Sequence, residues 1–478
     1  MNKILESFYF RMPLFMQNMG ISVYGYFWKK HRLGGIFLPE VKAAREREFY
    51  TYEQWKGYQT KVLRKLLIHA LDTLQVSCED ADLKVYVIEG KSVYDIVKQF
   101  RHAIGRSYIP PKFAFGFGQS RWGYTTKEDF RKYGDSTMLS SKLLKGNFEH
   151  SSGSTGTPVH IYMPDYVAQT FSALMENRVR NWAGVDYRTP RGMVGGRRII
   201  PDSHMEPPFY RYNFVEKQTY FSAYPISEQT IGDYLNGIIE NKVEWMTGYA
   251  MSNYFIADFI RKTGLKAPQL TAVITSSEKL TEKMREVISA VFGCKVFDSY
   301  SGCEACGLIS ESAEGELLVS PDAGIMEFIN EDGNEVSNGE VGEIVSTGLI
   351  NFDQPLIRYR IGDMVRIAKD QSLKTKHQMT KIDEIIGRVE DVVVGVDGRK
   401  MVRFHGLFIG IKGLVQSQLV QLTYTDFEIK LIVEKLFYNK NEAEAIISQR
   451  LESQIGKVAV KFDYLLVRTG KLKQLYQM

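Results

Sequence analysis

Short apolar segments alternate with helical segments beyond residue 150, and this alternation constrains the fold more than any other feature of the sequence. Five segments have the composition of strands: Val159–Tyr162, Gly192–Val194, Trp245–Thr247, Ala272–Thr275 and Lys295–Phe297. Helices are predicted between them, among others at Tyr249–Lys262 and Thr281–Phe292. Such alternation favours a mostly parallel sheet with helices on both faces, so we predict an α/β fold.

Two later regions differ from this core. Residues 316–350 predict short strands separated by turns, at Leu317–Val319, Ile325–Ile329 and Gly342–Ser346. From about residue 391, the strands Phe427–Glu434 and Val458–Leu465 flank a helix near Asn441–Leu451, which indicates a small α+β module. We therefore expect an N-terminal domain over 1–389 and a mobile C-terminal lid domain over 390–478. The N-terminal domain divides into a helical, aromatic approach segment (1–150), an α/β core (151–315) and a β-rich subdomain (316–389).

Composition excludes several classes of protein. The chain has 478 residues, of which 44% are hydrophobic, so it carries enough apolar material for a folded core. A net charge of +5 without a long cluster of Lys or Arg argues against nucleic-acid binding. Four cysteines are too few for a disulfide scaffold, and no apolar run approaches the roughly 18 residues that span a bilayer. We expect a cytoplasmic protein without a transmembrane segment.

The first forty residues are rich in aromatic side chains and end in a basic cluster, Lys29-Lys30-His31-Arg32. Aromatic residues beside basic ones suit a membrane surface, which is one interpretation. We favour the other, in which these side chains pack onto the body of the protein.

Two helix starts are predicted from capping-box spacing, in which a Thr precedes an acidic or amide residue by three positions. Thr51 and Gln54 have this spacing at the start of a helix that extends to about Leu74. Thr125 and Glu128 repeat it further along the chain.

The segment Ser151–Pro158 is a short loop of hydroxyl residues and glycines directly before a predicted strand. Glycines let a backbone approach a phosphate closely, and the hydroxyl and N–H groups can donate hydrogen bonds to a polyanion. The loop is not a Walker A motif, because the G-K-[ST] ending is absent. A flexible Ser/Gly linker is the alternative.

The segment Asp298–Cys306 follows the predicted strand Lys295–Phe297, and so lies where open α/β sheets place their ligands. A carboxylate there can hold Mg²⁺. Cys303 and Cys306 have C-x-x-C spacing, which leaves a zinc or redox site as an alternative. A structural zinc site needs two more ligands, and no second C-x-x-C or H-x₃-H supplies them.

Three further segments carry charged residues next to turns. Asp363 follows a glycine in Gln354–Asp363, where its carboxylate suits the vicinal hydroxyls of a ribose, and a solvated turn is the alternative. Gly387–Val394 is a turn into a strand. Arg468–Lys473 is a basic segment that taken alone indicates only a solvated face.

In this order the segments resemble the adenylate-forming (acyl-CoA synthetase/luciferase-like, ANL) superfamily, and most of all its phenylacetate–CoA ligase and capsular-polysaccharide-biosynthesis branch. Ser152–Pro158 resembles the S-G-[ST]-T-G-x-P phosphate loop, and Thr275–Glu278 the S-x-E segment of that branch. Tyr300–Glu304 keeps the ends of Y-G-x-[ST]-E, with Ser301 and Cys303 replacing its glycine and hydroxyl residue. The remaining matches are Tyr359–Asp363 with Y-[RK]-[TS]-G-D, Gly387–Asp391 with G-R-x-[DE]-D, and Arg468–Lys471 with a shortened R-T-x-x-G-K.

The resemblance implies roles for these residues. Six would cradle the pyrophosphate of ATP, with Thr155 also counted as catalytic: Ser152, Gly153, Ser154, Thr155, Gly156 and Thr157. Others would line the rest of the nucleotide site: Ser277, Glu278, Asp298, Ser299, Tyr300 and Ser301. Glu304 would anchor Mg²⁺, and Asp363 with Arg388 would fix the ribose. Lys471, or as second choice Lys473, would bridge the attacking carboxylate and the α-phosphate, and Glu390 would be the interdomain hinge.

The implied activity is an AMP-forming ligase that activates a small carboxylic acid with ATP and passes the acyl group to CoA. Two alternatives stay open. The acyl-adenylate could be transferred to an amine, such as an amino sugar in surface-polysaccharide assembly, or the chain could bind nucleotide without turning it over. A homodimer is compatible with this branch.

Overall fold

The computed structural model describes the greater part of the chain. The described residues are 9, 11–74, 124–136, 138–150, 159–196, 199–200, 206–223, 225–373, 376–388, 392–395, 400–402, 405–408, 411–433 and 438–464.

The described residues form helices throughout the chain and strands from residue 146 onward. The helices are α1 (Leu14–Leu33), α2 (Phe37–Arg47), α3 (Tyr52–Thr73), α4 (Lys127–Tyr133), α5 (Asp165–Met175), α6 (Ile231–Glu240), α7 (Ala250–Thr263), α8 (Glu282–Phe292), α9 (His405–Phe408) and α10 (Lys440–Ile455). A π-helical turn, Glu176–Asn181, continues α5.

The strands fall into an early hairpin, a central set and a C-terminal set. They are β1 (Gly146–His150), β2 (His160–Pro164), β3 (Arg191–Gly195), β4 (Tyr210–Asn213), β5 (Gln218–Ser222), β6 (Trp245–Tyr249), β7 (Ala272–Ser276), β8 (Lys295–Ser301), β9 (Leu308–Glu311), β10 (Leu317–Val319), β11 (Gly324–Ile329), β12 (Val341–Gly348), β13 (Tyr359–Ile367), β14 (Lys381–Arg388), β15 (Val392–Val394), β16 (Lys400–Val402), β17 (Leu414–Gln421), β18 (Asp426–Val433) and β19 (Ala459–Tyr464).

One compact unit combines Met1–Tyr26, Tyr187–Val296 and Ile386–Met478. Its central strands lie in the order β7-β6-β3-β5-β4. They are parallel except for β4, which is antiparallel to β5 at the edge. Helix α7 packs against α6 and α8, and the apolar faces of these helices and strands share one core. This is the parallel, helix-connected arrangement that the alternating pattern predicts.

The C-terminal part of this unit has a small core of its own. Strands β17 and β18 are antiparallel, β18 and β19 are parallel, and α10 connects the last two. Phe427, Ile429 and Leu431 on β18 are buried against Ile447 and Leu451 of α10. These strands and this helix lie close to their predicted positions, and a separate, mobile C-terminal domain over 390–478 stays a prediction.

The other compact unit combines Phe27–Asp186 and Phe297–Ile385. Its strands lie in the order β11-β12-β13-β14-β10-β9-β8. The strand pairs β8–β9, β9–β10, β10–β14, β11–β12 and β12–β13 are antiparallel, as expected of a β-rich region. Strands β1 and β2 form a separate antiparallel pair with His150 opposite His160. The α/β fold class is therefore confirmed.

A buried ion-pair cluster stabilises the helical side of this second unit. The Asp322 carboxylate forms hydrogen bonds with two guanidinium groups, from Arg47 at an Nε–Oδ2 distance of 2.9 Å and from Arg178 at an Nη2–Oδ2 distance of 2.9 Å. Arg178 is fully buried. Both arginines lower the pKa of Asp322 against the opposing effect of burial. Removing one partner of such a cluster leaves an uncompensated buried charge.

The helix start predicted at Thr125 is wrong by one residue. Thr125 is extended: its N–H donates to Arg358 O at 3.1 Å, and its carbonyl accepts from Arg360 N at 2.9 Å. Because these bonds hold Thr125 in an extended conformation, the helix begins one residue later. Thr126 and Asp129 form the capping box. The box at Thr51 and Gln54 is confirmed.

The favoured interpretation of the N-terminal aromatic residues is wrong for several of them. Phe15, Tyr24, Tyr26 and Phe27 are each more than half exposed. All four lie on α1.

Candidate active site

The two motifs around Tyr300 and Asp363 meet in the second unit. Strand β8 extends to Ser301, so Asp298, Ser299, Tyr300 and Ser301 lie within the strand rather than after it, contrary to the sequence-based expectation. Antiparallel pairing with β9 causes the extension, because it gives the backbone of this polar segment its hydrogen-bond partners.

A tight turn after β8 places the Glu304 carboxylate. Glu304 is only 7% exposed. A Cβ on Gly302 would lie 2.3 Å from Glu304 Oε2, so any other residue here would require the carboxylate to move from this position. Cys303 Sγ lies 3.6 Å from the same Oε2 and donates a weak hydrogen bond to it.

Strand β13 presents two polar side chains on one face. Its residues alternate between buried and half-buried, with Tyr359, Ile361 and Asp363 on the buried side. The Tyr300 hydroxyl donates to Asp363 Oδ2 at 2.8 Å. The Tyr359 hydroxyl donates to Glu304 Oε1 at 3.4 Å. Two motifs that are about sixty residues apart in the chain are thus joined by two phenol–carboxylate contacts.

Burial keeps the donors of this cluster protonated. Burial raises the pKa of Tyr300 well above its usual value, and the Asp363 carboxylate raises it further. Burial and the Glu304 carboxylate raise the pKa of Tyr359 in the same way. The pKa of the Cys303 thiol is also raised, by burial first and then by Glu304. Both phenols and this thiol are therefore neutral donors at physiological pH, and Cys303 has no thiolate character.

The carboxylates of this cluster are compatible with a nucleotide and with Mg²⁺. A carboxylate has about four acceptor positions, so Asp363 can take the Tyr300 hydroxyl and still accept from a ribose diol. Glu304 offers the hard oxygen that Mg²⁺ prefers. Within the described part of the chain, no three His, Cys, Asp or Glu side chains are grouped so that they could hold a metal ion.

Two more predicted residues lie in the first unit. Ser277 follows β7 with a left-handed backbone, φ 68°. Next to it, Glu278 Oε2 accepts from the N–H of Met251 at 2.9 Å, in the first turn of α7. A carboxylate at a helix N-terminus is stabilised by the helix dipole. Arg388 is the last residue of β14, and its side chain lies outside the described part of the structure.

The remaining predicted residues lie outside the described residues: Ser152, Gly153, Ser154, Thr155, Gly156, Thr157, Glu390, Lys471 and Lys473. The strands on either side of the Ser/Gly segment in the sequence, β1 and β2, pair with each other in the same unit as Glu304 and Asp363.

Sequence reasoning gave no role to Tyr359 or Arg358. Arg358 is 3% exposed, has a positive φ of 48°, and pairs through Nε and Nη2 with the two Glu327 oxygens at 2.9 and 3.2 Å. Its guanidinium also lies over the Tyr124 ring, 4.3 Å from the ring centroid. The signal for Tyr359 was available, since it lies four residues before Asp363 and so on the same face of a strand.

Curated relatives cover most of the chain. It is 24% identical over 441 residues to Protein CapK of Staphylococcus aureus, a match that spans 90% of this chain and 89% of CapK. It is 24% identical over 419 residues to phenylacetate-coenzyme A ligase of Escherichia coli (strain K12), over 80% of this chain and 89% of that protein. No protein-family model matches the chain.

A solved structure has the same fold. A crystal structure of 2-hydroxyisobutyryl-CoA ligase in the postadenylation state, in complex with 2-HIB-AMP, aligns with a TM-score of 0.52 and 14% identity, over 89% of each chain. In sequence the chain is thus similar to phenylacetate–CoA ligase and CapK over most of its length, and it shares the fold of a solved acyl-CoA ligase.

Proposed function

We propose that the chain is an AMP-forming ligase that joins a small carboxylic acid to ATP as an acyl-adenylate, releases pyrophosphate, and transfers the acyl group to the thiol of CoA. The observation that carries the proposal is the pair of contacts Tyr300–Asp363 and Glu304–Tyr359, because they unite the two segments that the resemblance assigns to ribose and Mg²⁺. The relatives named as CoA ligases support CoA as acceptor.

Charge neutralisation is the main chemical demand of the first step. The attacking carboxylate and the α-phosphate are both anionic, so alignment and electrostatic stabilisation matter more than a general base. Asp363 would hold the ribose hydroxyls, and Glu304 would hold Mg²⁺, which offsets phosphate charge when bound. The backbone and hydroxyls of Gly153, Ser154 and Thr155 would donate to the pyrophosphate, and Lys471 would bridge the reacting oxygens.

The burial of Glu304 and Asp363 supports these roles. Each is 7% exposed and each accepts from a neutral phenol, so both carboxylates are held in place before ligand binds. Positioned groups of this kind contribute to catalysis because they need no reorganisation during the reaction. A cytoplasmic location belongs to the same proposal, since the co-substrates ATP and CoA are used there.

Acid-dependent exchange of radioactive pyrophosphate into ATP tests the proposal. We expect exchange with at least one member of a panel of aryl, fatty and amino acids. Lys471→Ala should lower the exchange rate about 100-fold with little change in ATP binding, because this lysine acts mainly in the transition state. Lys473→Ala is the matched control and should retain exchange.

Three outcomes would contradict parts of this account. A large loss in Lys473→Ala with an active Lys471→Ala would reverse the assignment of the lysine. Nucleotide binding without exchange on any acid would identify a binding protein without turnover. If product analysis shows acyl transfer to an amino sugar but none to CoA, the acceptor is an amine.

A further inference from the structure

Helix α1 packs with its polar side against the protein. The guanidinium of Arg211 donates to Gln17 Oε1 at 2.7 Å, the N–H of Tyr212 donates to Asn18 Oδ1 at 3.0 Å, and the N–H of Phe214 donates to Ser22 Oγ at 3.0 Å. Strand β4 lies at the edge of its sheet, so Asn18 and Ser22 accept from the N–H groups of Tyr212 in this strand and of Phe214 just after it, where no further strand is available.

The apolar side of α1 consequently faces away from the protein. Phe15, Met19 and Val23 recur every four residues and are 67%, 49% and 57% exposed, and Met16 beside them is 50% exposed. Residues at this spacing form one row along a helix. This row, Phe15, Met16, Met19 and Val23, is the outer row of α1. Contiguous exposed apolar surface of this kind is typical of an interaction site.

The charged side chains of α1 and of the residues just before it are basic, and Asp165 pairs with His31 of this helix at 2.6 Å. Between Met12 and Pro39 the sequence contains no Asp or Glu, whereas Lys29, Lys30 and Arg32 lie at the C-terminal end of α1 and Arg11 lies just before the helix. A second copy of this helix brings no acidic side chain to meet these cations. An anionic lipid surface offers both an apolar layer and negative charge.

We propose that α1 is an interfacial helix that lies on an anionic membrane surface, with the outer row at the boundary between headgroups and acyl chains and the basic residues against lipid phosphates. The proposal needs no spanning segment, and within the described residues no helix is both long and apolar enough to cross a bilayer. It is independent of the proposed enzymatic activity, because the outer row contains none of the residues assigned to the active site.

Vesicle co-flotation of the full chain tests the proposal. We expect binding to phosphatidylcholine vesicles that contain phosphatidylglycerol, weaker binding without it, and a fall as salt rises. Phe15→Gln or Met19→Gln should each lower the partition coefficient about tenfold, since each removes an apolar side chain from the interface. The double variant Lys30→Gln with Arg11→Gln should lower the partition coefficient about fivefold for each charge removed, and only on anionic vesicles.

Matched controls separate this effect from general hydrophobicity. Leu422→Gln and Ile239→Gln change apolar side chains of similar exposure, 58% and 52%, and should bind as the unchanged chain does. Because all these positions are exposed, the midpoint of thermal unfolding should not change, and pyrophosphate exchange in solution should stay the same.

Two results would overturn the proposal. One is equal binding of the unchanged chain and Phe15→Gln to anionic vesicles, or no binding by either. The other is a dimer, measured by light scattering without lipid, that Phe15→Gln and Met19→Gln abolish, because the outer row would then be covered by a second copy of the chain.

Discussion

Tyr300 is the residue that links the nucleotide motifs most directly, since its hydroxyl holds the Asp363 carboxylate at 2.8 Å. The resemblance implies that Tyr300 lines the nucleotide site, but the structure adds a contact that a motif cannot reveal. The phenol orients the carboxylate proposed to bind ribose. Tyr300 is thus a positioning residue in this account.

We predict that Tyr300→Phe raises the KM for ATP about threefold to tenfold with kcat nearly unchanged, which is the effect of losing one hydrogen bond. Asp363→Asn should raise it further, because hydrogen bonds to a charged group are stronger. Steady-state pyrophosphate exchange at varied ATP measures both. Tyr210→Phe is the matched control, since its phenol also donates to a carboxylate, Glu240, at 2.8 Å. An equal effect in Tyr210→Phe would contradict the assignment.

Glu48 gives the stability of the protein a predictable pH dependence. Burial raises its pKa from 4.5 to about 7, against the opposing attraction of Arg178 and Arg45. Between these two values the folded state keeps the proton and the unfolded state loses it, so the free energy of unfolding falls as pH rises. The two pKa values set an upper limit of about 3 kcal/mol on this loss.

We predict that Glu48→Gln removes this dependence, because an amide does not titrate. Relative to the unchanged chain, the variant should gain stability at pH 8 and show a smaller gain, or none, at pH 5. Denaturant unfolding at the two pH values measures the difference. A difference between the two proteins that is the same at both pH values would show that Glu48 is ionised in the folded state throughout.

At the scale of whole elements, hydrophobic patterning located strands and helices well but set their ends less well. Leu317–Val319 has the predicted bounds, and Ala272–Ser276 differs by one residue, since runs of buried apolar residues mark these strands clearly. The length of strand β8 was underestimated, because the polar residues Asp298 and Ser299 do not indicate a strand. Pairing with β9 keeps them in the sheet, and that pairing is not encoded in the local sequence.

Contacts between elements were the least predictable part of the site. Period-two alternation places Tyr359 and Asp363 on one face of β13, but it does not reveal that Glu304 and Tyr300 lie opposite them. Helix α1 illustrates the same limit. Its aromatic residues predict burial. However, N–H groups at the edge of β4 need hydrogen-bond acceptors, and the polar side of α1 supplies them, so that side packs against the protein.

Helix α3 offers a test of local encoding. Thr51 Oγ1 accepts from Gln54 N at 3.3 Å, and Gln54 Oε1 accepts from Thr51 N at 2.8 Å. Thr51→Ala should lower the free energy of unfolding by about 1 kcal/mol through loss of the cap. Thr60→Ala, within the same helix, should not lower the free energy of unfolding, because alanine has a high helix propensity. Denaturant unfolding compares the two, and equal losses would contradict the capping explanation.

At the scale of the whole molecule, the order of the motifs carried more information than any single one. Each segment alone has an ordinary structural explanation, such as a linker, a turn or a solvated face. Relatives that align over most of the chain, and a solved ligase with the same fold, confirm the resemblance that the combined order indicates. The acid and the acceptor depend on pocket shape, which motifs do not specify.

The central claim is that Asp363 and Glu304 hold a nucleotide. A crystal structure of the full chain with a non-hydrolysable ATP analogue and Mg²⁺ tests it most directly. We predict that both ribose hydroxyls lie about 3 Å from the Asp363 carboxylate and that Glu304 lies beside the metal. An analogue whose ribose is bound by other residues and does not contact Asp363 would contradict the claim.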